Sequence, residues 1–232
     1  FFRSTDIDSV AVLPFENATG DPRLDYVSDG MTDSLINALA RLPELSVKAR
    51  SMVFRYKSRQ VDPREVATAL AVEGVVNGRL ERHGDRLVLF LALANGRDGN
   101  QIWGERYDSS MTDLVKLHEG VARDVARTLH GWLSGEEEAT VANAYTSSGE
   151  AYRLFLEGRW HVQRVALPEV QKGIQYLEQA TAIAAGFALA YVGLADAYRT
   201  ASAADMSPSP SRTAPTALAN AQSFVQRSVD YV

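Results

Sequence analysis

The chain has 232 residues, 46% of them apolar, enough for one large or two modest buried cores and too many for a disordered tail. Lys and Arg total 24 against 29 Asp and Glu, a net charge of -5 that argues against a general binder of nucleic acid or anionic membrane. Cysteine is absent, which excludes disulfides, thiolate metal sites, Fe–S clusters and cysteine nucleophiles, and only four His remain for metal chemistry.

Along the chain, Ser9 to Pro14 is a short apolar run closed by Pro and predicts a buried strand. Glu16 to Pro22 is turn chemistry. Ser28-Asp29-Gly30 offers an N-cap, and Met31, Leu35, Leu39 and Leu42 follow at helical spacing until Pro43. Leu45 to Lys48 predicts a second strand, and Ser51 to Tyr56 a helical turn. Asp62-Pro63 pairs a cap with Pro at the first helical position, opening a helix through Val66 and Leu70.

Gly74 to Arg82 and Arg86 to Ala94 flank His83-Gly84-Asp85 as a β-hairpin, with Leu87, Leu89, Leu91 and Leu93 on one face. A turn over Asn95 to Asn100 leads to the strand Gln101 to Tyr107. Trp103 and Tyr107 share one face there, where a large aromatic would pin the sheet to the following helix. That helix starts at Asp113, with an apolar stripe of Leu114, Leu117, Val121, Val125, Leu129 and Trp132. The order β-α-β-α-β-β-β-α predicts an α/β domain over 1–135. Its mixed sheet should have flanking helices, parallel pairing early and antiparallel pairing in the last three strands.

Ser134 to Glu138 marks a change in composition, with Glu136-Glu137-Glu138 as a solvated charge run. Over 146–232 no strand signal remains, and an Ala-rich helical pattern is broken by a Ser/Pro loop at Met206 to Pro215. Tyr191, Leu194, Ala195 and Tyr198 match the first-helix signature of the tetratricopeptide repeat, whose period is about 34 residues. Gly173, Leu177 and Ala180 match the second helix of a preceding repeat. Its first helix would be Ala151 to Gln163, with Gly158 at the small position. Ala221, Val225 and Ser228 resume the pattern. About two repeats are expected, both with inserts and the second cut off. The usual concave positions of such repeats fall on Arg159, Asp196, Arg199 and Thr200, the candidates for contacting a protein or peptide partner. The last helix pairing with its own copy, giving a homodimer, is a further expectation.

Catalytic patterns are missing. No Walker A, G-x-G-x-x-G, G-x-S-x-G or HExxH occurs, and no two His fall three or four apart. His83 in the hairpin loop, and His118 and His130 on the long helix, are expected to be solvated or capping. Asp29 and Asp33 share a helix face and read as capping and dipole partners rather than an acid–base pair. Arg50, Arg55, Lys57 and Arg59 interleave with Phe54 and Tyr56. Arg50 and Arg55 are candidates for holding a small anion, the alternative being a structural segment. No catalytic residue, metal or cofactor is expected, and no nucleic-acid partner.

Val10 to Phe15, Tyr26 to Thr32, Ala49-Arg50-Ser51 with Phe54 to Lys57, Gly78 to Arg82, Gly84-Asp85 and Trp103 to Asp108 together resemble the TolB-like amino-terminal domain family. The resemblance covers roughly Ile7 to Leu133, and Asn95 departs from it where an acid is common before the turn. Such a domain followed by tetratricopeptide repeats is similar to the sensory half of bacterial serine/threonine kinases, adenylate cyclases and winged-helix regulators. The resemblance implies a non-enzymatic sensor or docking module. It also implies a place on the extracytoplasmic (periplasmic) side of a membrane-anchored protein, with a cytoplasmic location as the alternative. A small-metabolite sensor and a structural envelope scaffold are the competing functions. No run approaches the ~20 apolar residues of a membrane span. A start at Phe1-Phe2-Arg3 and an end within a helical pattern read as a piece of a longer protein.

Overall fold

The computed structural model describes residues 7–130, 134–142 and 146–204. The chain divides into two compact units, 1–144 and 145–232.

In the first unit, the apolar run predicted as a strand forms β1 (Ser9–Val12), with Val10, Ala11 and Val12 fully buried. The loop that follows contains a two-residue strand, β2 (Glu16–Asn17), which the turn chemistry did not announce. It pairs with the later strand at Arg79 and Leu80.

Helix α1 spans Asp25–Leu39, so it begins three residues before the expected cap at Ser28. A 3-10 turn over Pro22–Leu24, capped by the Asp21 side chain on the Arg23 N–H, feeds straight into α1. Ser28 is therefore inside the helix, and its hydroxyl donates to the Asp25 carbonyl. One turn on, the Thr32 hydroxyl donates to the Ser28 carbonyl and accepts from the Phe15 N–H at 2.9 Å, tying α1 to the end of β1. Met31, Leu35 and Leu39 are buried on the helical stripe that the spacing predicts.

Strand β3 (Ser46–Val47) and the short helix α2 (Arg50–Val53) follow. Helix α3 (Pro63–Leu70) starts as its sequence predicts, with Asp62 accepting from the Arg64 N–H and Pro63 in the first turn. The hairpin is β4 (Gly74–His83) and β5 (Arg86–Asn95). Its loop is the pair Gly84-Asp85, with Gly84 at φ +67 where a tight primed turn demands a positive angle. Strand β6 (Gln101–Ser110) and helix α4 (Leu114–His130) complete the pattern.

The sheet is mixed, in the order β3-β1-β4-β5-β6. β1 pairs parallel with β3 and β4, while β4–β5 and β5–β6 are antiparallel. Short loops can only reverse the chain, whereas the strand–helix–strand connections return it in the same direction. Leu87, Leu89, Leu91 and Leu93 are all buried on one face. Tyr107, opposite Leu89, lies on that face and donates its hydroxyl to Asp124 of α4 at 2.9 Å. Burial, reinforced by Asp124, pushes the Tyr107 hydroxyl above its ordinary value, so it stays protonated as a donor. Tyr107 thus fastens β6 to α4, the part expected of an aromatic in this strand. Gly78 lets Phe15 approach: a Cβ there would lie 2.5 Å from the Phe15 ring.

Leu114, Leu117, Val121, Val125 and Leu129 of α4 are buried as a stripe, while Trp132 lies outside the described residues. The acidic run does not end the ordered unit. Residues Gly135–Ala142 form helix α5, packed on α4 and α1, with Glu138 paired to Arg127. The Arg41 guanidinium adds a hydrogen bond to the Thr140 carbonyl.

The second unit contains α6 (Gly149–Val162), α7 (Leu167–Ile183) and α8 (Ala188–Ala204). Ser148 caps α6 through the Ala151 N–H. Helices α6 and α7 cross where two glycines meet. A Cβ on Gly158 would lie 3.0 Å from the Gly173 carbonyl, and one on Gly173 would lie 2.7 Å from the Gly158 carbonyl. Leu177 and Ala180 on α7, and Leu194 on α8, are fully buried. The Ser/Pro stretch and the resumed pattern at Ala221, Val225 and Ser228 lie outside the described residues, as does the last helix expected to dimerise.

Candidate functional site

Helix α1 presents Asp25, Asp29 and Asp33 at four-residue spacing, which stacks them on one side. The α2 segment and the residues after it answer with cations. Lys57 Nζ lies 2.5 Å from Asp29 and 3.8 Å from Asp25, and Arg50 Nε lies 3.7 Å from Asp33. The Asn17 side chain adds a 2.7 Å hydrogen bond to Asp25. Asp29 and Asp33 are therefore buried mid-helix members of an ion-pair ladder, not helix-start caps. Their carboxylates fasten the segment from Arg50 to Lys57 onto α1.

The two anion candidates take different places in this arrangement. Arg50 stacks 3.6 Å over the Phe54 ring and faces Asp33. Arg55 is exposed, and its guanidinium lies over the neighbouring Tyr56 ring at 5.2 Å. Ser58, at φ +61, turns the chain away, leaving Arg59 exposed.

A groove of about 1020 Å³ opens beside this segment. Its floor is the sheet face opposite the leucines, where Asn77, Arg79, Phe90, Ala92 and Gly104 surface. Its far wall is the stretch 56–63. The groove exists only when three strands are in register, so it is not written in any one segment of the sequence. Its one visible signal is Phe90, a large apolar residue on the outward phase of β5.

In the helical unit, Asp196, Arg199 and Thr200 come together on α8. Arg199 pairs with Asp196 at 2.7 Å, and the Thr200 hydroxyl donates to the Asp196 carbonyl at 2.8 Å. Arg159 on α6 runs beside Gly193, where a Cβ would lie 3.8 Å from its Cγ. Its guanidinium stands 5.8 Å from the Phe155 ring centre. Gly193 is one helical turn before Asp196 and Ala197, so the α6 candidate and the α8 candidates border the same inter-helix seam.

The histidines divide. His83 is exposed at the end of β4 and pairs with Glu81 at 3.1 Å. His161 is buried, stacks on Tyr176 and reaches Glu169 at 2.8 Å. That contact, through the His161 hydrogen bond, holds the Glu169 carboxyl below its ordinary value. His118 is not solvated as expected. It is 5% exposed, because it follows Leu117 into the inward-facing arc of α4. No group of three or more potential ligands that could hold a metal occurs among the described residues.

Burial, with Arg41 nearby, pushes His118 down from 6.5 to about 4. The unfolded chain accepts the proton near 6.5 and the folded chain only near 4. Stability is therefore complete above 6.5 and falls as the pH drops through that window. By about pH 5 the loss should reach roughly 2 kcal/mol. It is read as the difference in denaturant midpoint between the native chain and His118→Leu across the titration. A parallel pH profile for the two would disprove the assignment.

No family model matches the chain. It is 31% identical over 186 residues to a Rhizobium meliloti (strain 1021) protein named "Putative adenylate cyclase 3". That match covers 80% of this chain and 32% of the relative, so the chain spans about a third of the relative's length. Among solved structures, the lipoprotein GNA1162 from Neisseria meningitidis matches with a TM-score of 0.39 at 18% identity, covering 53% of this chain and 99% of that one. TolB from Acinetobacter baumannii matches with a TM-score of 0.41 at 14% identity, over 54% of this chain and 29% of that one. The LpoB C-terminal domain from Escherichia coli gives 0.38 at 16% identity, over 45% and 84% respectively. At TM-scores this low the likeness is partial and says nothing of function. No described helix is long and apolar enough to cross a membrane.

Proposed function

We propose that this chain is a non-enzymatic sensor and protein-interaction module of a larger bacterial signalling protein of the adenylate-cyclase type. The observation that carries the reading is the 186-residue match to the Rhizobium relative. It is longer than the 144 residues of the first unit, so it takes in residues of both. It also leaves about two thirds of the relative for other domains, including one that could do the chemistry. A serine/threonine kinase or a winged-helix regulator is the alternative effector, and the relative's name favours the cyclase.

Within the module, the helical unit is proposed as a tetratricopeptide-type repeat region that takes a protein or peptide partner. Support comes from the Gly158–Gly173 crossing and from Leu177 packed under α8, both at the small and large positions of the repeat. The partner surface is assigned to Arg159, Asp196, Arg199 and Thr200. The module is placed on the extracytoplasmic side, which an alkaline phosphatase fusion to the full-length protein would report as active.

Pull-down with the full-length protein, native against the Arg159→Glu/Arg199→Glu double variant, tests the surface. The expected result is a partner retained by the native chain and lost by the variant. A partner held equally by both overturns the assignment. Phosphatase, esterase, ATPase and peptidase assays of the chain alone should be flat. Activity abolished by Asp29→Asn or His83→Ala would place the protein among enzymes instead.

A further inference from the structure

The geometry points to a saccharide-binding trough on the open face of the β4–β5–β6 ribbon, independent of whatever the helical unit binds. Register places Arg79, Phe90 and Arg106 in one row across the three strands, and Asn77, Ala92 and Gly104 in the next. The second row carries no large side chain. Phe90 is 39% exposed and stands at the rim of the trough this row leaves. An aromatic ring held there by two neighbouring strands is a preformed platform for an apolar ring face.

Most charges around the trough are paired, and the two lining residues without an ion pair among the described residues, Arg59 and Glu105, are of opposite sign and leave no net charge to attract a charged ligand. Arg79 is held by Glu81 at 2.9 Å and by Glu16 at 3.6 Å. Arg106 reaches Asp108 at 3.3 Å, and Lys57 reaches Asp29 at 2.5 Å. A charged ligand would have to compete with these partners. Three open amides, Asn77, Gln60 and Gln101, line the trough, and their side chains hydrogen-bond no other described residue.

Each amide offers a donor and an acceptor together, which is what a sugar hydroxyl also offers. A pyranose adds a flat C–H face of the size of the Phe90 ring. A volume of about 1020 Å³ accommodates several such rings in a row. The ligand class is therefore an uncharged oligosaccharide, stacked on Phe90 and hydrogen-bonded to Asn77, Gln101 and Gln60.

Titration of the full chain with chitotetraose and cellotetraose, followed by amide NMR shifts, tests this. Saturable shifts are expected around Asn77, Phe90, Ala92 and Gly104 with at least one of the two sugars. Phe90→Ala should weaken binding about tenfold. Asn77→Ala should weaken it severalfold, with both variants keeping the native melting profile because neither residue is in the core. Absence of shifts with both sugars overturns the proposal, as do shifts that Phe90→Ala leaves unchanged. An uncharged peptide that occupies the trough while the sugars do not would overturn the ligand class.

Discussion

Val121→Asp should unfold the α/β unit at concentrations of denaturant where the native chain is intact. Val121 is 1% exposed on α4, between Leu117 and Val125 on the buried stripe. Its helix packs on α1, α5 and β6, so an aspartate there has no route to water. A carboxylate buried without a partner either stays charged at a large desolvation cost or takes up a proton, and both outcomes destabilise the fold. The expected loss is on the order of 4 kcal/mol or more, a large part of the ~5–15 kcal/mol that holds a domain together. Chemical denaturation followed by circular dichroism measures it, with Val121→Ala as a control that removes volume without adding charge. A midpoint shared by the aspartate and alanine variants would show that the helix is rotated from this placement.

Leu177→Ala should cost about 2–5 kcal/mol in the helical unit, toward the upper end of that range. Leu177 is fully buried on α7 and reaches two other helices. A Cβ on Gly158 of α6 would lie 2.7 Å from its Cγ, and one on Gly193 of α8 would lie 3.1 Å from its Cδ2. Both neighbours are glycines, with no side chain to swing into the space left behind. A cavity that cannot collapse keeps its full penalty. Gly158→Ala alone should be destabilising, because the added methyl meets Leu177 and the Gly173 carbonyl. The double variant should lose less than the sum of the two, since each relieves the other. Thermal melts of the four chains close the cycle, and simple additivity would mean that Leu177 does not fill this crossing.

The α/β element order was legible because each element carries a local signature. The 3.6-residue spacing of Met31, Leu35 and Leu39 marks a helix wherever it later packs. The Asp62-Pro63 start of α3 and the Gly84-Asp85 turn depend only on backbone geometry within a few residues. The sheet's mixed directions followed from connection lengths alone. In the helical unit, Gly158, Gly173 and Leu177 are readable because close helix crossings need small residues at fixed spacing.

What escaped the sequence depends on residues distant along the chain. Ser28-Asp29-Gly30 is good capping chemistry, yet α1 starts three residues earlier, at Asp25. The 3-10 turn capped by Asp21 takes over that role, and Asp29 and Asp33 are claimed by Lys57 and Arg50, more than fifteen residues downstream. His118, expected to be solvated or capping, is buried because packing around α4 widens the buried arc to include it. The acidic run Glu136-Glu137-Glu138 faces solvent as expected, but that it opens helix α5, with Val141 buried, depends on packing against α4 and α1. The trough leaves Phe90, an apolar residue on the outward phase of β5, as its one local sign, since its floor is assembled from three strands. Periodicity and turn chemistry, acting over a few residues, set which segments become strands and helices. Which charges are neutralised, which histidines are dry and where a ligand could lie follow from the packed fold, because they depend on burial and on partners that residues distant in sequence bring together.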